Sequence, residues 1–113
     1  MKYRSFGKTD LKVSEIGFGC APIGYTGGFE DDKACIECVR NAIDVGLNFF
    51  DTSPVYGKSE INLGEAMGAD RDKIILATKV RLPAFEDVND MKNFIVASVE
   101  RSLTRLKTDY TDL

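Results

Sequence analysis

The chain has 113 residues, of which 43% are hydrophobic and 29% charged, a composition that suits one globular domain and excludes a disordered segment. Its net charge of −3, with acids and bases interspersed, excludes the basic stripe that a nucleic-acid surface requires. It contains no histidine, so no mechanism can draw an imidazole base from these residues. The start, M-K-Y-R-S-F-G, lacks the apolar segment of a signal peptide, and no run approaches the roughly 18 apolar residues of a membrane span. A cytoplasmic protein without membrane or nucleic-acid partners is the expectation.

The first predicted element is a hairpin, with strands over residues 2–6 and 11–16 around the turn Gly7-Lys8-Thr9-Asp10. Gly7-Lys8-Thr9 resembles the end of a phosphate-binding loop, but the glycine needed five positions earlier is Lys2, and that reading fails. Residues 16–20, I-G-F-G-C, form a short buried strand. A dinucleotide fingerprint starting at Gly17 would need glycine where Pro22 stands, so it fails too. Residues 21–31, with Gly24, Gly27 and Gly28, are predicted as a loop.

Asp31 or Asp32 can cap a helix running to Val45, with Gly46 as its stop. Cys35, Cys38, Val39, Ala42 and Ile43 form its apolar stripe. Cys35 and Cys38 make a C-x-x-C pair, yet they lie on that stripe, and no second pair or histidine exists to complete a zinc site. They are read as packing, and no metal site is assigned. A strand over 47–50 follows, then a helix capped by Ser59 that ends near Met67 before Gly68. Arg71-Asp72-Lys73 reads as polar padding, residues 74–79 as a strand, and residues 80–88 as a loop with Pro83. Asp90 can cap a third helix that buries Ile95, Val99, Leu103 and Leu106, and residues 108–113 begin a fourth strand. The order, hairpin then β-α-β-α-β-α-β, predicts a parallel sheet with right-handed crossovers. Periodicity does not separate an open sheet from a barrel.

Two of these strands deliver charges. L-N-F-F-D-T-S-P-V-Y-G ends an apolar run on Asp51 and then breaks at Pro54 and Gly57 around Tyr56, while I-I-L-A-T-K ends on Lys79. Neighbouring strands lie about 4.8 Å apart, so Asp51, Tyr56 and Lys79 can share one rim. Taken singly, Asp51 can cap a turn with Thr52 and Ser53, Lys79 can be a solvated strand-end charge, and Tyr56 can be a packing residue.

Several segments together are similar to aldo-keto reductases: Y-R-S-F-G-K-T, L-K-V-S-E-I-G-F-G-C, G-L-N-F-F-D-T-S-P-V-Y-G, L-G-E-A, A-T-K-V and S-V-E-R-S-L-T-R-L-K-T-D-Y-T-D-L. The resemblance runs the length of the chain in the right order. It implies a (β/α)8 barrel closed at its bottom by an N-terminal hairpin, and NADPH-dependent reduction of aldehydes and ketones without a metal. A whole barrel takes about 250 residues, so the implied fold here is an incomplete α/β piece: the hairpin, about three βα units and the start of strand 4. Carried over, Asp51, Tyr56 and Lys79 match three of the family's four catalytic positions. The fourth is a histidine just beyond the fourth strand, and this chain ends short of it. Gly19 and Cys20, together with Asp51, match positions near the nicotinamide ribose, and Cys20 stands where the family often has threonine or serine.

The chemistry suits these residue types. Hydride addition to a carbonyl leaves negative charge on oxygen and needs a proton donor there. A free phenol, of pKa about 10, becomes a better acid beside an ammonium. Tyr56 is therefore the expected acid, Lys79 its tuner and Asp51 the carboxylate that holds the lysine. The resulting expectation is the N-terminal portion of an oxidoreductase acting on small-molecule carbonyl substrates and inactive by itself, with the start at Met1 placing the truncation at the C-terminal end. The alternative is a non-catalytic half-barrel module or relict that self-associates through its open sheet or pairs with another chain. A third reading is an open flavodoxin-like α/β binding domain.

Overall fold

The computed structural model describes residues 1–25, 29–84 and 87–113, so Gly27 and Gly28 of the predicted glycine loop lie outside the described residues. Tyr3–Ser5 (β1) and Lys12–Ser14 (β2) pair antiparallel, with Tyr3 opposite Ser14. Their turn closes through the Phe6 amide, which donates to Leu11 O at 2.9 Å. Phe18–Gly19 (β3), Phe49–Asp51 (β4) and Ile75–Ala77 (β5) form a parallel sheet in that order. Phe50 sits opposite Phe18 and Leu76, and Asp51 opposite Gly19 and Ala77.

Around the sheet run Ala21–Gly24 (α1), Asp32–Asp44 (α2), Ser59–Met67 (α3) and Val88–Leu106 (α4), with a 3-10 helix over Gly68–Lys73. Alternate strand side chains point to opposite faces, so Phe18, Phe50 and Leu76 share the face turned to the helices. Against it α1 places Ile23, α2 places Cys35, Val39 and Ala42, α3 places Leu63, Ala66 and Met67, and α4 places Leu106. Phe50, Leu63, Leu76 and Leu106 are each fully buried, which stabilises the fold by roughly 1.5–3 kcal/mol per side chain. Gly64 makes the junction of α3 and α4 possible: a β-carbon there would stand 2.7 Å from Arg105 O.

The hairpin is fixed to the sheet by Asn48. Its Oδ1 accepts from the Ser14 amide at 2.7 Å, its Nδ2 donates to Lys12 O at 2.8 Å, and its amide donates to Ser14 Oγ at 3.2 Å. At the other edge the chain end lies along β5 without a regular ladder. The amides of Asp112 and Leu113 donate to Leu76 O at 3.0 and 3.2 Å, and the Thr78 amide donates to Leu113 O at 3.2 Å. Arg71 clasps this segment, donating to Tyr110 O at 3.0 Å and Asp112 Oδ2 at 2.9 Å and to Ile74 O at 3.1 Å. The segment expected to begin a fourth strand thus lies along β5 but forms no regular strand.

Several expectations need correction. The loop predicted over residues 21–31 opens with the single turn α1, whose first positions accommodate Pro22 because the missing N–H has no helical partner there. The segment read as polar padding is part of the 3-10 helix. β5 stops at Ala77, so Lys79 lies beyond the ladder. Asp31 caps α2, accepting from the Ala34 amide at 2.8 Å. α4 begins three residues earlier than predicted: Asp87, not Asp90, is its cap, accepting from the Asn89 amide at 2.6 Å. Ile95, Val99 and Leu103 are only half-buried, whereas Ser98, Ser102 and Leu106 are buried, because small serines let α4 come closest there. Ser59 does not cap α3; Lys58 occupies that position, and the Ser59 hydroxyl turns inward.

Candidate active site

The C-terminal ends of the parallel strands converge on one set of charges. β4 ends on Asp51, and Lys79 follows the end of β5 by two residues. Lys79 Nζ donates to Asp51 Oδ1 at 2.7 Å, to Asp51 Oδ2 at 2.8 Å and to Thr52 O at 3.0 Å. Three acceptors therefore meet the three protons of one ammonium. The pair is partly solvated, with both side chains 45% exposed.

Tyr56 enters from the loop after β4. The loop is closed by the Tyr56 amide, which donates to Ser53 O at 3.1 Å, and by the Ser59 amide, which donates to Tyr56 O at 2.9 Å. Its path passes against α1: the Lys58 amide donates to Gly24 O at 3.0 Å. A β-carbon on Gly24 would fall 1.7 Å from Tyr56 O, so backbone meets backbone there. Gly57 sits at φ +55°, a left-handed conformation natural to glycine. The result places the Tyr56 ring with its centroid 5.1 Å from Lys79 Nζ.

The lysine's pKa is raised above its ordinary value. Burial, the largest influence, works to lower it, and is outweighed by the hydrogen bond and charge of Asp51, with Tyr56 adding in the same direction. The neighbours thus extend the ammonium form to higher pH than in a free lysine.

The structure brings all three predicted catalytic residues together. Gly19 lies in register with Asp51, and no atom stands within 4 Å of where its β-carbon would be, which leaves open space beside the carboxylate. A flat ring can approach the sheet there. Cys20 is placed differently from a ligand-facing residue. Its amide donates to Asp51 O at 2.8 Å, but its thiol is fully buried and directed to Phe18 O at 3.6 Å. Burial, with the Asp51 charge adding, pushes the thiol up to about 12. Its backbone, not its sulfur, borders the site. Cys35 is buried in the core and Cys38 is half-buried, and among the described residues no group of metal-binding side chains forms.

Sequence reasoning missed the residues that hold the strand ends from behind: Thr52, Ser59, Glu60 and Thr78. The signal was present in the two-residue period, since the neighbours of Asp51 and Lys79 must face the helices. The two threonines lie on that face, where the Ser59 hydroxyl and the Glu60 carboxylate of α3 meet them.

A hairpin leading into a parallel βα series, with charges gathered at the C-terminal strand ends, fits the first part of a (β/α)8 barrel, a class whose active sites lie at that face. Comparison with known proteins agrees. The model of the aldo/keto reductase family matches residues 15–113, and the chain belongs to that family. It is 42% identical to the aldo-keto reductase YhdN of Bacillus subtilis (strain 168) and 38% identical to the L-galactose dehydrogenase of Arabidopsis thaliana; in each case all of this chain is covered and 37% of the relative. The aldo-keto reductase AKR11C1 from Bacillus halodurans, in its holo form, superposes with a TM-score of 0.81 at 36% identity, over 98% of this chain and 38% of that one. The chain thus spans about 37% of the length of the curated relatives it matches. The fold is accordingly the N-terminal part of the barrel, with the ring not closed. Among the described residues no helix is long and apolar enough to cross a membrane.

Proposed function

We propose that these residues form the acid-bearing part of an NADPH-dependent carbonyl reductase that acts on aldehydes or ketones. The observation that carries the reading is the Lys79 ammonium, bound by both Asp51 oxygens and set 5.1 Å from the Tyr56 ring, at the C-terminal end of a parallel sheet. When bound, the reduced nicotinamide supplies the hydride. The open space at Gly19 beside Asp51 suits the approach of its flat ring, with the Cys20 backbone forming the adjacent border. As the carbonyl carbon gains its hydrogen, the oxygen gains charge, and the Tyr56 hydroxyl donates the proton that completes the alcohol. The phenolate left behind is stabilised by the Lys79 ammonium, which Asp51 holds charged and in place.

Turnover is assigned to the closed barrel, and the 113 residues alone are expected to leave NADPH unconsumed in the presence of a reactive aldehyde. The test grafts this chain in place of the matching N-terminal part of the Bacillus subtilis relative. NADPH oxidation by the chimera is expected to fall about 10²- to 10⁴-fold with Tyr56→Phe, the range for loss of a positioned acid. A Tyr56→Phe chimera as active as its parent would end this assignment.

A further inference from the structure

All three strand ends at the candidate site are held by the first two residues of α3. Consecutive side chains leave a strand on opposite faces, so Asp51 and Lys79 face the site while Thr52 and Thr78, their neighbours, face the helices. Ser59 Oγ donates to Cys20 O at 2.7 Å and lies 2.8 Å from Thr52 Oγ1. Glu60 Oε1 accepts from Thr78 Oγ1 at 2.8 Å, and its Oε2 accepts from Arg105 Nε of α4 at 2.7 Å. Ser59 is fully buried and Glu60 is 2% exposed. A carboxylate is costly in such a place unless its oxygens are occupied, and an apolar side chain would pack there without that cost. The charge at Glu60 therefore needs a reason beyond packing, and its contact with Thr78 supplies one.

We propose that Ser59 and Glu60 are positioning residues of the candidate active site, fixing the separation of Asp51 and Lys79 through Thr52 and Thr78. The inference rests on the reading of Asp51 and Lys79 as site residues. Thr52 contributes twice, since its carbonyl is the third acceptor of the Lys79 ammonium while its hydroxyl is held by Ser59. Thr78 is the last residue before Lys79, and β5 has already ended at Ala77. Backbone bonds hold the strand end itself, from the Thr52 amide to Ala77 O at 2.9 Å and from the Thr78 amide to Leu113 O at 3.2 Å, and the Glu60 contact adds the side-chain anchor next to the lysine. Both partners of the ion pair are thus referred to a single helical turn, a rigid element suited to holding reacting groups within a fraction of an ångström.

The test reads the titration of Lys79 by NMR in the 113-residue chain. The charged and titratable groups around Lys79 are Asp51 of β4, Tyr56 of the following loop and Cys20 at the end of β3. Thr78→Val removes the hydroxyl without changing shape or charge. It is expected to lower the Lys79 midpoint by about half a pH unit or more, and to broaden away the ammonium signal that three acceptors hold. Thr78→Ser, which keeps the hydroxyl, is expected to restore both. Ser59→Ala leaves β5 untouched and carries the same expectation, so it decides the matter should the valine variant not fold. A Lys79 midpoint unmoved in folded Thr78→Val and Ser59→Ala, whatever their melting temperatures, overturns the inference. Asp51→Asn separates the two levels: if it leaves the midpoint unmoved, the site reading itself fails; if it moves the midpoint and Thr78→Val does not, only the positioning role is lost.

Discussion

Where β4 and β5 begin, the Phe6 ring of the hairpin lies 5.7 Å from the ring of Phe49, and Asn48 ties β2 to the sheet with neutral hydrogen bonds. Tyr3 OH adds another neutral bond, donating to Gly46 O at 2.9 Å. Where the same strands finish, 28 residues apart in sequence, Asp51 and Lys79 form a half-exposed ion pair beside a phenol. At the first end these polar groups are paired with one another. The second keeps charge at the surface, where burial would cost more than the pair returns. One sheet thus has two unlike ends, with neutral packing at the hairpin end and the proposed chemistry at the other, the division that the barrel class shows.

The largest test of that division is its exception. Gly24 and the Tyr56 backbone meet at the chemical end with no room between them, so Gly24→Ala is expected to cost more than about 3 kcal/mol in urea unfolding. A tolerated alanine would mean that the Tyr56 loop is not seated against α1. At the hairpin end, Asn48→Ala removes bonds to Ser14 and Lys12 and is expected to cost about 1–3 kcal/mol, leaving the Lys79 titration where it was. A shift of Lys79 in that variant would show that the two ends are coupled and that the division is false.

Asp51→Asn should do the reverse. An ion pair this exposed is expected to contribute less than about 1 kcal/mol to folding, while the Lys79 pKa falls towards that of a free lysine. The sign follows from the raised folded value. The pair's contribution is complete below the unfolded lysine value of 10.5 and is lost as pH rises through the higher folded one. Urea midpoints of the parent and Asp51→Asn chains should therefore differ slightly at neutral pH and converge in strong alkali.

The sequence made the division legible at one level and hid it at another. Apolar runs ending on Asp51 and Lys79 announced two strands and their shared rim, although Asp51 stands opposite Ala77 and the lysine side chain spans the two-residue offset. The hairpin was visible in its turn residues. The caps were harder to read, since a serine before an apolar stretch signals a helix start whether its hydroxyl turns back to the helix or inward. At Ser59 it turns inward, to Cys20 O and Thr52, which is a tertiary choice that no local pattern records. Asp90 was the expected cap of α4, but the chain enters the helix earlier and Asp87 holds that position. Nothing local to Glu60 marks it; only the arrival of Thr78 and Arg105, 18 and 45 residues away, makes it a buried anchor.

The smallest expected effect concerns Cys20, which lies at the chemical end yet belongs to the core. The thiol is close to Lys79, but burial and the Asp51 charge both disfavour thiolate and outweigh the lysine. With the thiol pushed up to about 12, it stays protonated at pH 8, and thiolate is the reactive form. Burial also raises the Cys35 thiol at the helix layer, whereas Cys38 on the same helix is half-exposed. Native alkylation at pH 8, followed by peptide mass mapping, should therefore label Cys38 first and leave Cys20 and Cys35 to react only as the chain unfolds. Early labelling of Cys20 would place its sulfur in the site rather than behind it, and the boundary between the working face and the core would have to be redrawn through β3.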